Sequence, residues 1–202
     1  MEDSLVKASL AYRRHQQDIW NGRAPEKYTR ILPYIVGHHV LEIGAAEGVL
    51  SLLMSARQLV HGVTALEQRR DRHEEGLRLQ ARWQGLGLDV SRCTMVHGNV
   101  LGYESFAEYD VIVAVRAVYY LREKALSVLQ KAFEDDVIRV VLCGNKGRQA
   151  HYRAYPDSDL GRFNELASTE GMQSLLKQSG YHIELARDEG DPIVVGCHPY
   201  TT

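Results

Sequence analysis

Between Val40 and Leu53 the chain runs Val-Leu-Glu-Ile-Gly-Ala-Ala-Glu-Gly-Val-Leu-Ser-Leu-Leu: an apolar run holding one acid, Glu42, then a turn of very small residues, then a second apolar run. Gly44, Ala45, Ala46 and Gly48 let a ligand reach the backbone, because larger side chains would fill the space it needs. A helix starting near Glu47 would aim its free amides and positive dipole end at the same space. A tight strand-to-helix connection accounts for these residues equally well. Glu67, at the end of Val63-Thr-Ala-Leu-Glu67, lies about 20 residues beyond the turn, where an acid can accept hydrogen bonds from both hydroxyls of a ribose. It would also serve as a cap for a helix carrying Arg69 and Arg70,. Asn99, in Val96-His-Gly-Asn-Val100, can bond a base edge through its amide, and asparagine is as readily a turn residue.

A second group follows two later apolar runs: Arg116, Tyr119 and Tyr120, then Asn145, Lys146, Arg148, His151 and Tyr152. His151 is the general-base candidate because an unperturbed imidazole titrates near neutrality; the competing reading is a solvated loop histidine. Tyr119 is the second catalytic candidate, and with Tyr120 it either walls a pocket or packs a helix start. Arg116, Tyr120, Lys146 and Arg148 are the candidates for holding an acceptor, and convergent guanidinium and ammonium groups suit a carboxylate or phosphate. Scattered, solvated surface charge is the alternative. The five arginines Arg69, Arg70, Arg72, Arg78 and Arg82 alternate with Glu74 and Glu75 and read as a solvated helix face. No His, Cys, Asp or Glu spacing suggests a metal, so none is expected.

These residues need elements to position them. Strand-length apolar runs at Val40–Ile43, Gly62–Leu66, Cys93–His97, Val111–Val115 and Arg139–Cys143 alternate with longer segments at Val49–Gln58, Arg69–Gln84, Glu123–Phe133 and Ser168–Ser179. That alternation predicts a parallel sheet with crossover helices on both faces, a doubly wound α/β unit. Gly180–Ala186 and Pro192–Cys197 are joined by the short polar stretch Arg187–Asp191, and two strands so joined pair antiparallel. Upstream, Leu5, Ala8, Tyr12 and Ile19 recur near helical spacing in Ser4–Trp20, and a short helix is expected after Pro25. The candidates at the ends of the first three strands then share the crevice where open α/β sheets bind ligands.

With 202 residues, 45% of them hydrophobic and 25% charged, the chain can bury one substantial core. Residues 1–202 therefore read as a single domain, 1–38 a helical cap and 39–198 the core. A formal net charge of −2 provides no overall positive field for nucleic acid or an anionic membrane. Cys93, Cys143 and Cys197 are far apart and suggest neither a disulfide framework nor a zinc set. No apolar stretch approaches a secretion h-region or a membrane span, so a cytoplasmic protein is expected. The oligomeric state is not legible.

The turn is Gly-x-Ala-x-Gly after an acid, whereas dinucleotide binding calls for Gly-x-Gly-x-x-Gly and room for a pyrophosphate. With Leu41-Glu-Ile-Gly-Ala-Ala-Glu-Gly48, Glu67 and Asn99, the chain resembles the class I, Rossmann-like S-adenosylmethionine-dependent methyltransferases over roughly residues 24–197. The resemblance implies a seven-stranded sheet of order 3-2-1-4-5-7-6 whose last inserted strand is antiparallel. It also implies Gly44, Ala46 and Gly48 around the amino-acid part of S-adenosylmethionine, Glu42 orienting that part, Glu67 on the ribose and Asn99 on the adenine. Ala45, Gln68, Val100 and Val115 complete the expected cofactor set. Ala46 and Asn99 depart from the glycine and aspartate usual there. The expected reaction is methyl transfer to O or N of a small acceptor, an anionic metabolite or a glycan. An RNA-modifying enzyme and a cofactor-binding scaffold without turnover are the alternatives. The Asn/Asp-Pro-Pro-Tyr/Phe loop of base-amine methyltransferases is absent after Val115.

Overall fold

The computed structural model describes residues 16–23, 26–148, 150 and 164–200. His151, Tyr152 and residues 4–15 of the expected N-terminal helix lie outside the described residues.

Seven strands form one sheet: β1 (His39–Ile43), β2 (Gly62–Glu67), β3 (Cys93–His97), β4 (Val111–Val115), β5 (Arg139–Cys143), β6 (His182–Arg187) and β7 (Ile193–Cys197). Their spatial order is β3-β2-β1-β4-β5-β7-β6. The first five are mutually parallel, for example Val40 beside Val63 and Val111. β7 runs antiparallel to β5, from Arg139↔Cys197 to Cys143↔Ile193, and β6 returns antiparallel along β7. This is the order that the sequence resemblance implies, and the short 188–192 connection leaves the last two strands no other pairing.

Side chains alternate along the central strands, so each strand supplies two cores. Val40, Val111, Val113 and Val141 join one apolar cluster, and Leu41, Ile112, Ala114, Val140 and Leu142 join the other. After the short α1 (Glu26–Thr29), the helices α2 (Val49–Ala56), α3 (Arg70–Gly85), α4 (Ala125–Glu134) and α5 (Thr169–Gln178) cover these faces. Leu50, Leu52, Met54, Leu79 and Trp83 pack the first cluster, whereas Val128, Leu129, Met172 and Leu176 pack the second. Each such fully buried aliphatic side chain contributes about 1.5–3 kcal/mol, which fixes β1 and β4 as a rigid base for the loops at their carboxyl ends. Residues 16–20 are helical and are tied in where the Trp83 indole N–H donates to the Ile19 carbonyl at 2.8 Å.

The helix after β1 starts at Val49, as the segment Val49–Gln58 predicts. Gly48 takes a left-handed φ of 66° as its N-cap, so helical geometry begins at Val49 and not near Glu47. Its far end falls at Ala56, before the expected Gln58, because Gln58 itself turns left-handed at φ 54°. Ser168 stands as the N-cap of α5, its side chain accepting from the Gly171 amide at 3.1 Å.

Candidate active site

The carboxyl ends of β1, β2, β3, β4 and β5 border a cleft of about 760 Å³. Of the sequence-derived candidates, Glu42, Gly44, Ala45, Ala46, Glu67, Gln68, Asn99, Val100, Val115, Arg116, Tyr119 and Tyr120 line it. Gly48, Lys146 and Arg148 stand just outside that lining.

The turn after β1 is held from beneath, with the Gly44 and Ala45 amides donating to the Leu66 carbonyl at 2.9 and 3.1 Å. Gly44 has φ 69°, and a Cβ there would come within 2.7 Å of the Ala117 Cβ. At Gly48 a Cβ would sit 2.3 Å from the end of Met95. Ala46 is also left-handed, at φ 51°, a conformation that costs a non-glycine residue about 1–2 kcal/mol. The backbone geometry is therefore the one glycine would adopt, retained by an alanine.

Glu42 is buried at 4% exposure, and one carboxylate oxygen accepts from both the Ser51 hydroxyl (2.6 Å) and the Ser51 amide (3.1 Å). Burial pushes its carboxyl up to about 7; the Ser51 bonds oppose the shift and the neighbouring Glu67 carboxylate adds to it. Glu67 bridges two loops, since Oε2 accepts from the Ala46 amide at 2.8 Å and Oε1 from the Arg69 amide at 2.7 Å. Each oxygen keeps a second lone pair for a ligand hydroxyl. Arg69, not Glu67, is the N-cap of α3, and no side chain caps that helix; Glu67 instead holds the residue just before it. Asn99 uses Oδ1 to accept from the Leu101 amide at 3.0 Å, capping the turn Val100–Gly102. It is exposed at the rim while Val100 is buried beneath it.

At the other end of the cleft, Arg116 leaves β4 with φ 54° and its Nε donates to Asp191 Oδ2 at 2.9 Å, the terminal nitrogen closing the same ion pair. Asp191 Oδ1 also accepts from the Lys146 amide at 3.2 Å. One carboxylate in the β6–β7 turn thereby fastens the loops after β4 and β5. Asn145 Oδ1 accepts from the Gly147 and Arg148 amides at 3.0 and 3.2 Å. Burial, with Tyr120 second, raises the Tyr119 hydroxyl pKa. Arg148 donates to the Tyr120 hydroxyl at 2.9 Å and lies 4.5 Å from the Tyr119 ring centroid.

Three lining residues have no clear sequence signal. Tyr28 of α1 reaches the cleft, and burial foremost, then Glu42 and Glu47, raise its pKa. Ala117 closes against Gly44, and Glu47 faces in while paired with Arg72 of α3. Asp191, outside the lining, lay within what reads as an ordinary polar turn. Among the described residues no group of three or more His, Cys, Asp or Glu side chains converges as a metal site.

No family model and no curated protein sequence matches the chain. Its fold is found widely among solved structures, several of them described as methyltransferases. The magnesium protoporphyrin IX methyltransferase ChlM from Synechocystis PCC 6803, solved with bound S-adenosylhomocysteine, superposes with TM-score 0.63 at 14% identity, over 86% of this chain and 82% of that one. M. capricolum TrmK, in complex with the same cofactor product, gives 0.60 at 10% identity, over 87% and 69%. The mitomycin 7-O-methyltransferase MmcR gives 0.58 at 21% identity, over 81% and 49%. Among the described residues no helix is long and apolar enough to cross a membrane.

Proposed function

We propose that the chain is an S-adenosylmethionine-dependent methyltransferase acting on O or N of a small acceptor. The observation that carries this is the acidic floor under the small-residue turn. Glu42 and Glu67 bring two buried carboxyl groups to the ends of adjacent strands, that of Glu42 pushed up to about 7. A pyrophosphate would meet like charge there, whereas an α-ammonium meets a compensating partner. Glu67 has lone pairs for a ribose diol, Asn99 and Val100 stand where an adenine edge would lie, and Ala46 and Gly44 leave space for the methionyl part. The neighbours that hold S-adenosylhomocysteine in the same fold support the same assignment.

Bound there, the cofactor supplies an electrophilic methyl carbon. The chain's own task is then alignment and exclusion of water. Tyr119, with its pKa raised by burial, stays protonated at neutral pH and serves as a donor to the acceptor rather than as its base. His151 is the base in this proposal where the acceptor atom carries a proton. The acceptor is an anionic metabolite or a glycan, and the site is cytoplasmic in this reading.

The RNA-modifying reading draws support from a neighbour described as the B. subtilis M1A22 tRNA methyltransferase TrmK. Against it, Arg69 at the N-cap of α3 and Arg70, Arg72 and Arg78 within it already pair with Asp71, Glu74 and Glu47. Labelled S-adenosylmethionine offered with total RNA and with a metabolite extract separates the two, label in RNA alone overturning the small-acceptor proposal. Thermal shift with S-adenosylmethionine, S-adenosylhomocysteine and NAD tests the cofactor, because a ligand of the native state stabilises it by mass action. Stabilisation by NAD alone would overturn the methyltransferase reading.

A further inference from the structure

We propose that the far end of the cleft is an aromatic and guanidinium platform for a planar aromatic acceptor bearing an anionic substituent, with Arg148 as the charge that selects it. The inference rests on the methyltransferase reading for its word acceptor, but its binding chemistry stands on the cluster itself.

Tyr119 and Tyr120 follow β4, their ring centroids 4.7 Å apart and their planes inclined by 53°. Tyr119 is buried, whereas Tyr120 is 65% exposed, so a large aromatic side chain stands open at the mouth. Over both rings lies the Arg148 guanidinium, 4.5 Å from the Tyr119 centroid and 5.1 Å from that of Tyr120. Its hydrogen bonds go to the Tyr120 hydroxyl at 2.9 Å and to Asn164 Oδ1 at 3.3 Å.

The partners distinguish Arg148 from its neighbour. Arg116 is neutralised by Asp191, while the partners of Arg148 among the described residues are a phenol, an amide and two ring faces, all uncharged. Among the described residues its positive charge is therefore held in place without being cancelled. A ring of a ligand can stack on the open Tyr120 face, and a guanidinium fork binds a carboxylate or phenolate bidentately. The nucleoside half of the cleft, with Glu42 and Glu67, repels the same anion, so charge orients the ligand along the cleft. A cationic ligand would instead compete with Arg148 for the tyrosine faces.

The test uses the full chain and 4-hydroxybenzoate as the aromatic anion, with phenol, succinate and choline as comparisons, titrated by ligand-observed NMR with and without saturating S-adenosylhomocysteine. The expected order is 4-hydroxybenzoate tightest, with phenol and succinate each weaker. Arg148→Gln should weaken 4-hydroxybenzoate about tenfold, the scale of a lost charge-assisted hydrogen bond. Arg148→Lys should fall between, and Tyr120→Ala should weaken 4-hydroxybenzoate and phenol alike. Affinity for S-adenosylhomocysteine should stay within about twofold in all three variants, since none touches the acidic floor. Unchanged 4-hydroxybenzoate binding in Arg148→Gln, or choline binding tighter than the anion, overturns the inference. Failure of S-adenosylhomocysteine to bind while Arg148-dependent binding of the anion persists strikes the methyltransferase reading and leaves the platform standing.

Discussion

Replacing Glu42 by Gln should make the protein more stable at alkaline pH while weakening its hold on a cationic ligand. The Glu42 carboxyl is raised from 4.5 to about 7, by burial first. The folded state thus binds this proton more tightly than the unfolded chain does. The associated stability is fully present below about 4.5 and is lost as pH rises through about 7. At about 1.4 kcal/mol per unit, the ionised carboxylate costs the fold about 3 kcal/mol above pH 7 relative to acid conditions. In Glu42→Gln a neutral carbonyl oxygen takes over the two Ser51 bonds, offsetting part of the gain because bonds to a charged acceptor are the stronger. The net expectation is a gain of about 1–3 kcal/mol at pH 8 and close to none at pH 5. Urea unfolding of both proteins at pH 5, 6, 7 and 8 reads this difference directly. A difference that does not vary with pH, or a variant less stable at pH 8, would refute the reasoning. Calorimetry adds the functional half: an ammonium arriving beside Glu42 should draw a proton off it near pH 7, so the binding enthalpy of S-adenosylmethionine should vary with buffer ionisation enthalpy in the wild type and not in the variant.

Glu67→Ala should weaken S-adenosylhomocysteine binding by about 1–3 kcal/mol, measured by titration calorimetry; unchanged affinity removes Glu67 from the site. Ala46→Gly should raise stability by about 0.5–1 kcal/mol, the relief of the left-handed φ of 51° exceeding the added freedom of the unfolded chain, and urea unfolding decides its sign. Asp191→Asn should lower Tm by a few degrees, about 1 kcal/mol for a half-exposed pair that fastens two loops,. It should leave affinity for S-adenosylhomocysteine nearly unchanged, and a larger change in that affinity would mean that the Arg116 loop extends to the nucleoside half.

The parallel core was legible because β1, β4 and β5 are buried on both faces and therefore read as unbroken apolar runs. The reversal of β7 was legible for a different reason, the shortness of the 188–192 connection. Element ends were less so: whether a helix starts at Glu47 or Val49 depends on one left-handed glycine, and nothing in the residue types of Gly44, Ala45, Ala46 and Gly48 says which of them turns. In the site, Glu67 and Asn99 were found because acids and amides at strand ends are conspicuous. Tyr28 was not, since its helix is four residues long and has no periodicity to show which side is covered. Asp191 escaped because its role is defined by a partner 75 positions away, and pairing across a sheet leaves no local mark. The same distance effect changes the meaning of Arg116, which reads as a free cation in sequence and is half of an ion pair in space.

Segregation of charge, rather than its total, carries the functional argument. A net charge of −2 describes a chain in which Glu42 and Glu67 sit at the β1 and β2 ends of a cleft and Arg148 stands by the loops after β4 and β5. Across such a cleft the acids favour a cationic cofactor, the guanidinium favours an anionic acceptor, and each end disfavours the other's ligand. An RNA backbone calls for the opposite arrangement, a continuous row of uncompensated cations. Arg69 at the N-cap of α3 and Arg70, Arg72 and Arg78 within it, the nearest thing to such a row, are instead paired with Asp71, Glu74 and Glu47. The helix that the sequence marks as most basic therefore offers RNA no continuous row of uncompensated cations, and in this reading discrimination between acceptors falls to Arg148, whose partners among the described residues carry no charge.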